Sequence, residues 1–96
     1  MMKFNEIKQM LAEHKQELKD KFRVKEIGVF GSYIRGKETE KSDVDMLVEF
    51  YGPPGWEFID LEDYLSNLIG VKVDLVMKTA LKPRIGKHIL REVQYI

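Results

Sequence analysis

Two aspartates one residue apart, Asp43 and Asp45, stand at the mouth of the apolar run Val44-Asp45-Met46-Leu47-Val48-Glu49-Phe50. The run alternates as a strand does, so successive side chains switch faces and residues two apart share one. Both carboxylates therefore point the same way from a rigid element. Two anions held so close repel each other unless a cation lies between them. Such oxygen pairs suit Mg²⁺, which takes one or two protein carboxylates together with phosphate oxygens. An isolated Asp-x-Asp step describes an edge strand with two solvated acids equally well, so its meaning depends on what accompanies it.

Two further features accompany it. Upstream, a second apolar run ends in Val29-Phe30-Gly31-Ser32, and ten residues, Tyr33 to Ser42, separate Ser32 from Asp43. A glycine after a strand lets backbone N–H groups approach a phosphate, and the serine can add a hydroxyl donor. Downstream, Val71-Lys72-Val73-Asp74-Leu75-Val76 is a third short strand-like run with one acid in a β-branched setting. Asp74 is costly to bury there without a partner. A phosphate turn, an Asp-x-Asp pair and a third strand acid together are the parts of metal-assisted nucleotidyl transfer.

The periodicity orders the chain as helix, strand, turn, strand, loop, helix, strand, helix. Phe4, Ile7, Leu11, His14 and Leu18 recur at helical intervals and predict one amphipathic helix to about Lys21. Val24 to Phe30 is the first strand, and Lys37 to Ser42 is a polar loop. Gly52-Pro53-Pro54-Gly55 breaks the chain after the second strand, and Trp56 to Ile69 forms a helix stopped by Gly70. Pro83 opens a last helix whose Ile85, Ile89 and Val93 are expected to face the core. The expected fold class is α/β (α+β), a small mixed sheet flanked by helices in a single domain spanning residues 1–96. The strands bearing Asp45 and Asp74 should be neighbours, with the intervening helix as the crossover that parallel strands require.

Composition narrows this further. Hydrophobic content of 44% over 96 residues fits one modest core, and no apolar stretch is long enough to span a membrane. Zero cysteines exclude disulfides and thiolate metal sites, which fits a reducing cytoplasm. Sixteen acids balance sixteen bases, so general nucleic-acid binding is not expected. From Lys78 to Ile96, however, five bases face one acid, Glu92: either a solvated helix face or a surface for a nucleotide or acidic partner.

With Gly31-Ser32, the ten-residue spacer, Asp43-Val44-Asp45 and Asp74 in place, the chain resembles the minimal nucleotidyltransferase (MNT) family of the DNA polymerase β superfamily along nearly its whole length. The resemblance implies a polymerase β-like fold, ATP as substrate and Mg²⁺ at two sites. Asp43 and Asp45 would hold the metal that clamps the triphosphate, and Asp74 would complete a second site beside the attacking hydroxyl. Gly31 and Ser32 would hold the β- and γ-phosphates. Arg35 is the charge partner for a phosphate oxygen, with a salt bridge to Glu38 or Glu40 as its other reading. Ser42 joins the nucleotide-binding set, although a turn-stabilising hydroxyl describes it as well. Tyr33 is the expected base or ribose neighbour, whereas His14 is expected to be a packed or partner-facing imidazole and His88 has no second histidine at metal-ligand spacing.

The resemblance also implies a partner, since MNT proteins pair with helical HEPN ribonuclease toxins as antitoxins and some adenylylate a toxin tyrosine. Three readings follow: a protein adenylyltransferase, a non-enzymatic neutralising module, or a small-molecule nucleotidyltransferase. Clustered carboxylates argue against a pure binder, and the lack of room for a second domain argues against the third. Exposed aromatics and an amphipathic first helix leave room for a homo-oligomer.

Overall fold

The computed structural model describes residues 2–96. Their order is α1 (Phe4–Glu13), α2 (Lys15–Phe22), β1 (Val24–Phe30), α3 (Ser32–Arg35), β2 (Val44–Phe50), α4 (Glu57–Ile69), β3 (Val73–Met77), α5 (Pro83–Glu92) and β4 (Gln94–Tyr95). A short 3₁₀ turn, Lys78–Ala80, joins β3 to α5. The four strands make one mixed sheet in the order β3-β2-β1-β4. β1 runs antiparallel to β2 and to β4, while β2 and β3 are parallel neighbours joined by the α4 crossover.

Alternation assigns each strand residue to a face. On one face Ile27, Val29, Val44, Met46, Val48, Val73 and Leu75 pack with Ile7, Leu11 and Leu18 of α1 and α2 and with Leu61, Leu65 and Ile69 of α4. On the other, Phe30 and Leu47 pack under Ile89 of α5, with Val76, Leu81 and Val93 around them. The second face is only partly roofed, and it is the face that Asp45 and Asp74 share. β3 is an edge strand, and two of its outward N–H groups are met from α4. Val73 donates to Ser66 Oγ and Leu75 to Glu62 Oε2, both at 3.0 Å from α4.

The structure departs from the sequence expectation in three places. The first helix breaks at His14, which takes φ −103°, ψ 8° between α1 and α2. Its Nδ1 lies 2.8 Å from the Met10 carbonyl oxygen, a side-chain bond to the last turn that ends α1 there. Ile85 does not face the core and is 61% exposed. α5 instead turns Gly86 and Ile89 inward, where a side chain at Gly86 would press on Leu81. Two short elements, α3 and β4, carry too few residues to leave a periodic signal.

Tyr64 joins α4 to α2. Its ring packs on Phe22 with centroids 5.0 Å apart, and its hydroxyl donates to Glu17. Burial, followed by this hydrogen bond and the Glu17 charge, pushes its phenol up to about 12. A folded-state pKa above the unfolded value of 10.0 means that the neutral phenol supports the fold. That contribution is complete below pH 10.0 and should fade as pH rises through about 12. Burial also raises the Tyr33 phenol. Ultraviolet titration should therefore find more than one tyrosine ionising late, and Tyr64→Phe should remove the component at about 12 while flattening the alkaline limb of thermal stability.

Candidate active site

Parallel pairing sets Asp45 opposite Asp74, and antiparallel pairing sets Phe30 opposite Asp45. The end of β1 and the starts of β2 and β3 thus meet at one edge of the sheet. Neighbouring strands lie about 4.8 Å apart, so the two aspartates are adjacent on the partly roofed face. Asp43 stands just before β2, with Oδ2 3.9 Å from Lys72 Nζ. Of the three, Asp45 is half-buried, while Asp43 and Asp74 are exposed.

At the same edge the chain leaves β1 through Gly31 and enters α3. Gly31 holds φ +81°, ψ −152°, a conformation open essentially to glycine alone. A Cβ there would run into the Asp45 carboxylate, so the turn and the acid are in direct contact. Ser32 opens α3, and its amide belongs to the first turn, whose N–H groups find no acceptor within the helix. The Gly31 N–H is already engaged, donating to Glu92 Oε2 at 2.9 Å. Arg35 Nη1 donates to Glu92 Oε1 at 2.7 Å.

Burial, then the charges of Asp74 and Asp43, raise the Asp45 carboxyl above its usual range. Arg35 opposes the shift and Glu92 adds to it. The three acids and the Arg35–Glu92 pair therefore act on one another electrostatically. Carboxylate oxygens are the donors that Mg²⁺ takes, and the raised Asp45 marks a repulsion that a cation would relieve, so the donor set fits that ion. The side chains themselves do not converge. Among the described residues no group of three His, Cys, Asp or Glu is placed to hold one ion.

The structure brings Asp43, Asp45, Asp74, Gly31, Ser32 and Arg35 to one edge of the sheet. Ser42 sits in the adjoining loop, where its Oγ accepts the Thr39 N–H at 2.8 Å, the turn-stabilising role. Tyr33 is corrected: it is 3% exposed and belongs to the main core, because the first turn of α3 points it inward. Trp56, just before α4, is 77% exposed. Arg35 pairs with neither Glu38 nor Glu40. Its partner Glu92 is the residue that sequence reasoning missed, and the available signal was its isolation as the single acid of the basic C-terminal stretch.

A mixed sheet with paired acids at the edge beside a Gly-Ser turn defines the nucleotidyltransfer class of α/β folds. The family model described as "Nucleotidyltransferase domain" matches residues 11–96, and the chain belongs to this family. It is 54% identical over 97 residues to the protein adenylyltransferase MntA of Thermococcus cleftensis, covering 100% of this chain and 98% of that protein. A solved structure provisionally assigned as a minimal nucleotidyltransferase matches with TM-score 0.76 and 31% identity, over 97% of this chain and 95% of that one. The fold also matches a chain in the complex of the tri-AMPylated Shewanella oneidensis HEPN toxin with its MNT antitoxin, with TM-score 0.66 and 18% identity. That match covers 93% of this chain and 70% of the other.

Gly31→Ala combines backbone strain with a collision against Asp45 and should cost about 1–3 kcal/mol of stability. Chemical denaturation measures that loss. Asp43→Ala, at an exposed carboxylate, should unfold like the wild type.

Proposed function

We propose that residues 1–96 act as one minimal nucleotidyltransferase domain that moves AMP from ATP onto a protein hydroxyl, with Mg²⁺ required. The acceptor we favour is a tyrosine of a helical HEPN toxin, so that the chain serves as its antitoxin. The observation that carries this reading is the pairing of Asp45 with Asp74 on adjacent parallel strands, at the sheet edge where Gly31 touches Asp45. The adenylyltransferase activity named for the Thermococcus relative and the AMPylated toxin in the Shewanella complex support the choice of donor and acceptor.

In this reading the acceptor oxygen bonds to the α-phosphorus as the bond from that phosphorus to the pyrophosphate oxygen breaks. The electron pair leaves with pyrophosphate, and the hydroxyl proton passes to the exposed Asp74 carboxylate. Asp43 and Asp45 would hold Mg²⁺, which supplies charge neutralisation along the triphosphate. The Ser32 amide and hydroxyl and the Arg35 guanidinium bind phosphate oxygens. Asp45 lies directly against Gly31, which sets the metal-binding acid beside the phosphate turn.

Calorimetry with ATP should find binding that depends on Mg²⁺ in the wild type and is lost in Asp45→Asn. Equal affinity with EDTA would overturn the metal assignment.

Asp74→Asn should keep most of the Mg²⁺–ATP affinity yet lose transfer, because it removes an interaction made chiefly in the transition state. Intact-mass spectrometry of a HEPN partner incubated with ATP reads the added AMP. If wild type and Asp74→Asn silence that partner equally with no mass change, the chain is a neutralising module and the enzyme reading fails.

A further inference from the structure

Glu92 reaches the candidate site from the far end of the chain. Its two oxygens divide between two partners, the Gly31 N–H at 2.9 Å and Arg35 Nη1 at 2.7 Å. These partners are the residues at either end of α3, so one carboxylate grips the whole helical turn between the β1 exit and Arg35. Its side chain is 13% exposed against 48% for Arg35, so the acid is enclosed while much of the guanidinium still faces outward. Burial alone would raise the Glu92 pKa. The Gly31 N–H and the Arg35 hydrogen bond and charge outweigh it and hold the carboxyl below its usual range, so it stays ionised.

Placement of an anion beside a polyphosphate site needs a reason, because it repels the ligand. Geometry supplies one. A guanidinium carries five N–H donors in a planar fork, and a bond through Nη1 leaves the remaining donors for a second oxyanion. The bond to Nη1 restricts the range of orientations that the fork can take. We propose that Glu92 is a positioning residue for nucleotidyl transfer, holding the Gly31 turn and Arg35 so that the free edge of the guanidinium meets the departing pyrophosphate. This inference rests on the nucleotidyltransferase reading of the site. Negative charge on that leaving group grows as its bond to the α-phosphorus breaks, so the alignment matters most in the transition state.

The test uses Glu92→Gln, which keeps the side-chain shape, together with Arg35→Ala and the double variant, each checked for its melting temperature. In Glu92→Gln the Gly31 amide proton should move upfield in the ¹⁵N–¹H spectrum, as a bond to a carboxylate becomes a bond to a neutral amide. AMP transfer at saturating Mg²⁺–ATP should fall about 10- to 100-fold while ATP affinity changes less than about threefold. On the Arg35→Ala background, Glu92→Gln should produce a clearly smaller further loss than on the wild type, because the part of its action that runs through Arg35 is already gone. An unmoved Gly31 amide would overturn the clamp and leave the site reading intact. An unchanged transfer rate, or losses that simply add in the double variant, would overturn the positioning role in the same way. Tighter ATP binding with faster transfer would make Glu92 a competitor for the phosphate donors, which also overturns it. A wild type that neither binds Mg²⁺–ATP nor transfers AMP would overturn the site reading, and the positioning role with it.

Discussion

Register between β2 and its two neighbours is the constraint from which the rest of the structure follows. Val44, Met46 and Val48 are buried against α1, α2 and α4, while Asp45 and Leu47 alternate with them on the opposite face. Because side chains repeat every two residues, a slip of one position would drive Asp45 into the apolar core and expose Val44 and Met46. The cost of burying an unpaired carboxylate and of exposing two large apolar groups excludes that slip. Core packing thus pins the register, and the register pins Asp45 between Phe30 and Asp74. The site is a by-product of how the core is satisfied.

The C-terminal segment closes the other side of this arrangement. β4 pairs with β1 at Gly28 and Val29, and a side chain at Gly28 would lie 2.7 Å from Val93 Cγ2 and 2.9 Å from the Gln94 carbonyl oxygen. Only a residue without a Cβ lets the end of α5 settle so close to the sheet. Settled there, α5 seats Ile89 on Phe30 and Leu47 and delivers Glu92 to the turn after β1. The same packing leaves Ile85 outside, which is why an apolar residue at a helical interval from Ile89 is not a core residue.

Local pattern made much of this legible. Strand alternation, the Gly-Ser turn and the acids at Asp43, Asp45 and Asp74 could be read because each depends on residues close in sequence. The adjacency of the β2 and β3 strands followed from the helix between them. What escaped depended on distant contacts. The Arg35 partner lies 57 residues away, and the nearer candidates lose because the chain turns at Gly36 in a left-handed conformation and carries Glu38 toward Lys3, 3.5 Å from its ammonium group. Tyr33 looked exposed beside a phosphate turn, yet the unanticipated α3 rotates it into the core. The His14 break has a side-chain cause, which apolar spacing alone does not register.

Exposure across the three acids gives the proposed chemistry a direction. Asp45 lies innermost, against Gly31 and between two paired strands, where a group that must not move belongs. Asp74 lies on the edge strand and is exposed, with no further strand beyond it among the described residues. Glu92 meets the turn after β1, on the other side of Asp45 from Asp74, so in the proposed transfer the acceptor hydroxyl comes to the exposed Asp74. A hydroxyl carried on a protein surface brings its own orientation, because contacts made outside the site fix its angle of entry. For the proposed transfer, an exposed Asp74 beside an inner Asp45 therefore suits an acceptor presented on a protein surface.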